Sequence, residues 1–279
     1  IAAGLTRGDA AERWNLDHAP LILDIHRSYA LAGADILTTN TFGATRGHLE
    51  KHGLAGNLAE INAAAVRLAK KAAGADRLVA GDLGPTGALL PPMGAATEQH
   101  LRDLFKEQAE ILLDAGVDFY LTETHYDLRE AVCAVQSARS CCDLPIGATI
   151  TFNRSPRGYR TMMGDTVENC CTALAEAGAD FIGANCTLEP SAMVELAGEL
   201  VHHSRLPILI QPNAGQPHLR NGRTTYDVSP RVFAEEIRAI LAAGVRAVGG
   251  CCGTTPEHIT AMRELIDGFA GGTCFEEAT

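Results

Sequence analysis

Hydrophobic residues along this chain come in two alternating textures. Short, continuous apolar runs rich in β-branched residues give way to longer stretches in which apolar positions recur every three or four residues. The first texture belongs to strands buried on both faces, the second to amphipathic helices. The strand runs are "DILTTNTF" (35–42), "RLVAGDLG" (77–84), "VDFYLTET" (117–124), "LPIGATITF" (144–152), "DFIGANC" (180–186), "LPILIQPNA" (206–214) and "VRAVGGCC" (245–252). Between them lie helical segments such as "LRDLFKEQAEILLDAG" and "SPRVFAEEIRAILAAG". Four of these end in the same punctuation: "LAGAD" at 31–35, "DAGVD" at 114–118, "EAGAD" at 176–180 and "AAGVR" at 242–246. The glycine supplies a left-handed helix cap, and the next strand begins at once.

Continuous apolar strands separated by crossover helices predict a parallel sheet covered on both faces. Seven strands and eight helices are counted, because a helical segment at about 19–33 precedes the first strand. That count predicts a (β/α)8 TIM barrel whose first strand would lie before Ile1 or whose slot something else fills. No linker or break in composition divides the chain, so one domain over residues 1–279 is expected. A doubly wound open sheet would show a glycine-rich phosphate turn after its first strand. "GDLGPTG" (81–87) is instead a proline-bearing, turn-rich loop.

Composition narrows the function classes. The formal net charge of −11 argues against binding to nucleic acid or to anionic membranes. No apolar run approaches the roughly 20 residues of a membrane span, and no signal peptide opens the chain. Nine cysteines without framework spacing argue against a disulfide scaffold. A reducing, cytoplasmic setting with metal or thiol chemistry is expected instead.

The cysteines include three adjacent pairs, and their positions separate them. Cys141–Cys142 falls at a helix end, and Cys170–Cys171 falls inside a helix. Both read as small buried hydrophobes. Cys251–Cys252 closes the last strand run, and Cys186 closes another, both on the face where barrels place reactive groups. Three thiols at one barrel mouth suit a tetrahedral zinc ion with its fourth position open. Neighbouring residues of a regular strand point to opposite faces, so Cys251 and Cys252 can share a metal only if the strand ends there. Gly249, Gly250 and Gly253 permit that departure. Spacing alone leaves a vicinal disulfide switch or inert packing open. Cys133 and Cys274 receive no role.

"GANC", "QPNAG" and "GGCCGTTPEHI" together resemble the homocysteine S-methyltransferase family. The likeness extends to "HRSYALAGADILTTNTFGATR" (26–46), "GDLGPTG" and "GRTTYDVSP" (222–230), nearly the whole chain. "PNAG" and "NTFGATR" look most like the homocysteine-binding module of cobalamin-dependent methionine synthase. The resemblance implies a TIM barrel with zinc held by Cys186, Cys251 and Cys252, and methyl transfer to the thiol of homocysteine. It further implies that the Asn213 amide oxygen occupies the open zinc position until substrate displaces it; the plainer reading is a turn-former before Gly215. Glu123 ends a buried strand, where a carboxylate needs a partner. By resemblance it holds the substrate ammonium, the alternative being a structural ion pair. Thr39, Asn40 and Asp82 also end strands at the mouth and are read as pocket-lining, with a structural role as the alternative for each. The family's opening strand ends in an Asp-Gly-x-x-Gly-Thr pattern that does not occur here.

For the methyl donor, the resemblance implies methylcobalamin carried by a separate corrinoid protein or domain. S-methylmethionine, S-adenosylmethionine and betaine serve other branches. A zinc or thiol redox protein without a substrate is the reading of another class. Several polar residues are set aside. Thr254 and Glu257 have capping-box spacing around Pro256, which makes His258 a surface residue. His125 neighbours Glu123 without ligand spacing, and His202–His203 suit a helix C-terminus.

Overall fold

A computed structural model describes residues 4, 5, 8–220 and 223–270. Seven parallel strands form one curled sheet: β1 (Ile36–Thr38), β2 (Leu78–Leu83), β3 (Phe119–His125), β4 (Ile146–Ile150), β5 (Phe181–Asn185), β6 (Ile208–Gln211) and β7 (Ala247–Val248). Spatial order follows chain order, each strand pairing in parallel with the next. All seven predicted strands are present, each shorter than its apolar run. Eight longer helices alternate with them: α1 (Ala19–Leu31), α2 (Leu58–Ala73), α3 (Glu98–Asp114), α4 (Leu128–Cys141), α5 (Val167–Ala177), α6 (Pro190–His203), α7 (Pro230–Ala242) and α8 (Pro256–Ala270).

The local signals explain the boundaries. Thr97, Asp127 and Thr166 precede α3, α4 and α5, and each side chain accepts a backbone N–H of the first turn. At the other end, Gly33, Gly116, Gly178 and Gly244 take φ values of +97°, +93°, +102° and +98°, as the repeated punctuation predicts. The apolar stripes of α3 to α6 then close over the sheet. Leu101, Phe105, Leu112, Tyr120, Ile146 and Ile150 are inaccessible to solvent there. Full burial of one such aliphatic side chain contributes about 1.5–3 kcal/mol. Phe105→Ala would cost about 3–5 kcal/mol, because the surrounding helices cannot collapse onto the gap.

Two β-hairpins at the strand-exit face were not predicted: Asn153–Ser155 with Gly158–Arg160, and His218–Arg220 with Arg223–Thr225. Their polar, arginine-bearing sequences carry no apolar alternation, and each is only three residues per arm.

Among the described residues, β1 is hydrogen-bonded only to β2, and β7 only to β6. The sheet is therefore a barrel wall open at one seam, as the count of seven strands and eight helices predicts. Helices α1 and α8 meet outside that seam, where the Tyr29 hydroxyl donates to Thr254 O at 3.0 Å and Arg263 pairs with Asp35 at 3.0 Å. A cavity of about 1110 Å³ fills the interior. It runs from Cys251, Glu123 and Asp82 at the mouth to Arg246 and Asp118 at the opposite end. Ile36 on β1, beside the seam, and its partner Leu78 on β2 remain 42% and 50% exposed.

Candidate metal centre and substrate pocket

Each of the three mouth cysteines is delivered by a strand that stops just before it. β5 ends at Asn185, and Cys186 follows with φ +61°, in the left-handed region that non-glycine residues rarely adopt. Its neighbours Thr187 (φ +55°) and Thr124 at the end of β3 (φ +63°) share that conformation. Backbone strain of this kind concentrates at functional sites and persists only when the surroundings enforce it. Here the Asn185 side chain does so. Its carbonyl accepts from Thr124 N–H at 2.9 Å and Thr149 Oγ1 at 2.8 Å, and its amide donates to Thr124 Oγ1 at 2.7 Å.

β7 stops after Val248, and two glycines carry the chain into the doublet. Cys251 N–H donates to Pro212 O at 2.8 Å, and Cys252 N–H donates to Asn213 Oδ1 at 3.1 Å. The doublet thus leaves the pleat, and both thiols turn to one side. Cys186 Sγ lies 3.7 Å from Cys252 Sγ, and all three sulfurs lie within 4.8 Å of one another. A tetrahedral zinc with bonds of about 2.3 Å holds its sulfurs ~3.8 Å apart, so the trio fits such an ion. Among the described residues it is the one group of three or more His, Cys, Asp or Glu donors that could share a metal.

The thiols already behave as a unit. Hydrogen bonds from Cys186 and Cys251 pull Cys252 down to about 3, while the same sharing pushes Cys251 far above the usual thiol range. One sulfur carries the charge and its neighbours donate to it. The Asn185 amide also faces Cys251 Sγ at 3.8 Å, and the Tyr226 ring packs over Gly253 beside Cys252. Neither residue was singled out from sequence. Asn185 stood inside the quoted "GANC" and Tyr226 inside "GRTTYDVSP", with nothing in their spacing to mark a sulfur contact.

The other two doublets lie elsewhere. Cys170 and Cys171 are buried in α5, and burial pushes both thiols up, Cys171 to about 11. Cys141 and Cys142 close α4 and pack against the main core. Cys133 is buried, with the Arg102 guanidinium 3.4 Å from its sulfur, and Cys274 lies outside the described residues.

Glu123 and Asp82 line the cavity beside the trio. Burial, and then the Cys186 sulfur, pushes Glu123 up to about 7. Asp82 is pushed well above the carboxylate range by burial, then by Glu123 and Glu12, and its Oδ1 has no hydrogen-bond partner. Two carboxyls without a cation are a receptor for one. Thr39 and Asn40 also border the cavity, but the Thr39 hydroxyl and the N–H groups of the Asn40 amide are spent locally. Thr39 Oγ1 accepts from Asp82 N–H and bonds Thr41, while the Asn40 amide donates to Ala11 O and Asn15 Oδ1. Asn213 is buried, its amide oxygen already engaged by Cys252 N–H, with a second lone pair left over.

Two expectations need correction. The helix cap is Thr255 rather than Thr254, since α8 starts at Pro256 and the Thr254 hydroxyl donates to Cys251 O at 2.7 Å. His258, expected at the surface, is only 6% exposed and occupies the reciprocal position of the capping box, accepting Thr255 N–H at Nδ1. Sequence spacing favoured the acidic Glu257, but a histidine acceptor serves as well. His125 is also buried, edge-on to Phe105 and turned away from the cavity.

The family model for homocysteine S-methyltransferase matches residues 5–266. The chain belongs to the homocysteine S-methyltransferase family. Relatives include methionine synthase from Mycobacterium tuberculosis, 34% identical over 254 residues, which are 87% of this chain and 21% of that protein. Methionine synthase from Mycobacterium leprae is 32% identical over 261 residues, 89% of this chain and 21% of that protein. The chain therefore spans about a fifth of the length of these relatives. The metallated form of the homocysteine methyltransferase MmuM from Escherichia coli superposes with a TM-score of 0.79 at 25% identity. That match covers 94% of this chain and 91% of the other. In this family member the matched region takes in the whole cysteine trio, both cavity carboxyls and every barrel strand.

Proposed function

We propose that this chain catalyses zinc-dependent methyl transfer to the thiol of homocysteine, giving methionine, with a methylated corrinoid protein as donor. The observation that carries the reading is the trio of thiols at zinc spacing, one of which, Cys251, lines the same cavity as two uncompensated carboxyls.

Cys186, Cys251 and Cys252 would hold the ion, leaving a fourth position on the cavity side. The chemistry zinc supplies when bound is to favour loss of the proton from a thiol that joins it, leaving that sulfur nucleophilic near neutral pH. Everything else falls to side chains of this chain. Asn213, whose amide oxygen keeps a lone pair beside the one that Cys252 N–H occupies, would fill the open position and yield it to substrate. Glu123 and Asp82 accept the ammonium of the amino acid, whose charge offsets the cost of burying them. That anchors one end of homocysteine while its sulfur reaches the cysteines, an arrangement that turns a bimolecular encounter into a positioned one. The sulfur, its proton already released to solvent, would then take the methyl group as the donor's bond to that methyl breaks with its electron pair staying on the donor, and a thioether results.

The trio lies at the mouth, with Cys252 exposed, so a donor too large for the cavity can still present its methyl group. The methionine synthase relatives support the corrinoid donor over a small sulfonium. Metal analysis followed by methyl transfer from a donor panel tests this. One zinc per chain and turnover accelerated by a methylated corrinoid domain are expected. Turnover with S-methylmethionine and none with the corrinoid would move the donor assignment to the sulfonium branch. Zinc without any methyl transfer would leave a thiol-metal protein.

A further inference from the structure

Beneath the cysteine trio a closed circuit of hydrogen bonds joins three stretches of chain. Cys252 O accepts from Ala214 N–H at 2.9 Å, and Ala214 O accepts from Val228 N–H at 3.0 Å. Val228 O faces Nε2 of His258 at 3.0 Å, and Nδ1 of the same ring accepts Thr255 N–H at 3.1 Å. Thr255 follows Cys252 by three residues, so the circuit returns to its start. His258 is its one side-chain link.

The roles of the ring nitrogens follow from the partners. A backbone N–H can only donate, so Nδ1 is the acceptor, and Nε2 carries the proton given to Val228 O. The Thr255 hydroxyl also lies 2.9 Å from Nδ1, and Phe233 meets the ring edge-on at 5.4 Å. The ring has no freedom to turn. What it holds matters for the site, because Tyr226 stands two residues before Val228. The Tyr226 ring lies across Gly253, the residue after Cys252, where a Cβ would come within 2.2 Å of it. Tyr226 is itself pushed up to about 12, by burial and then by the Cys252 sulfur it faces.

We propose that His258 is a positioning residue for the metal centre: by clamping Val228 to the start of α8 it keeps Tyr226 against Cys252 and holds the doublet in ligand geometry. The proposal rests on the reading of the trio as a zinc site. Outer partners that orient metal ligands commonly change metal affinity without touching the ion.

Two half-replacements separate positioning from mere helix capping. In His258→Asn the amide oxygen can take the place of Nδ1 and keep the cap, but nothing reaches Val228 O. In His258→Gln the amide N–H can take the place of Nε2 and keep the Val228 tie, while the cap is lost. Zinc affinity by chelator competition, Tm, and amide exchange of Ala214 and Val228 in metal-stripped protein are measured for each. His258→Asn is expected to weaken zinc about tenfold, the lower end for such partners, with faster exchange at both amides and Tm nearly unchanged. His258→Gln is expected to lower Tm while zinc affinity and exchange stay near wild type. Tyr226→Phe should weaken zinc as His258→Asn does, and the double variant should be no worse than either single one. Zinc affinity that merely follows Tm across the variants, or wild-type zinc binding and wild-type exchange in His258→Asn, would overturn the proposal. A wild-type chain that binds no zinc would defeat the metal reading instead, and amide exchange would still decide the clamp.

Discussion

The same dipeptide, Cys-Cys, occurs in α5 and after β7, and the two copies have opposite chemistry. Cys170 and Cys171 sit inside a helix against the main core, 1% and 3% exposed, with their thiols pushed up by burial. Cys251 and Cys252 sit where a strand has stopped, with a third thiol in reach and one sulfur held at about 3. Helical geometry sends neighbouring side chains about 100° apart around the axis, so the α5 pair has no shared direction. The glycine-flanked turn removes the pleat that would have split the second pair. The difference teaches that a thiol becomes available to a metal through the backbone that carries it and the partners that share its charge, not through the residue type.

Single replacements break that comparison most sharply. Cys186→Ala, Cys251→Ala and Cys252→Ala are each expected to abolish stoichiometric zinc and methyl transfer while the circular dichroism of the barrel persists. Cys170→Ala and Cys171→Ala should keep one zinc per chain and lose only about 1–3 kcal/mol of stability, as cavities in a core do. Zinc lost from the α5 variants and kept in the strand-end variants would reverse the assignment.

Glu123 sharpens the comparison from the substrate side. Glu123→Gln should raise the KM for homocysteine on the order of 10- to 100-fold, the scale of a lost charge-assisted hydrogen bond. It should also change the pH dependence of folding. A carboxyl raised from 4.5 to about 7 binds its proton more tightly when folded. Its contribution to stability is present below about pH 4.5 and is lost as pH rises through about 7. Denaturant titrations between pH 5 and pH 8 should show the variant gaining on wild type as pH increases. Parallel profiles for the two proteins would contradict the burial argument.

A smaller effect is expected at Asn213. Asn213→Ala removes the acceptor for Cys252 N–H, a bond worth about 1 kcal/mol. Zinc affinity should fall about fivefold, measured by competition with a chromogenic chelator. An unchanged affinity would show that the doublet's geometry does not depend on that bond.

Much of this was legible in the sequence, and the limits have physical causes. Strands buried on both faces announce themselves as apolar runs, and glycines at positive φ announce helix ends, so all seven strands and the seam between β1 and β7 could be anticipated. The cysteine trio was legible because strand ends in a barrel converge on one face. The hairpins were not, since three-residue polar arms leave no periodic trace. Asn185, Tyr226 and His258 were missed for a different reason. Their partners are far away in the chain, such as the 30 residues between His258 and Val228, and a polar residue's spacing does not reveal what it will bond. Thr39 and Asn40 illustrate the converse. They border the cavity, yet the folded chain has already used the Thr39 hydroxyl and the N–H groups of the Asn40 amide.

The central claim is that substrate sulfur joins the three cysteines at one zinc. X-ray absorption at the zinc edge, recorded before and after addition of homocysteine, tests it most directly. The account predicts three sulfurs and one light atom in the free protein, becoming four sulfurs at about 2.3 Å when substrate binds. A shell of three sulfurs and one light atom that homocysteine leaves unchanged would contradict it.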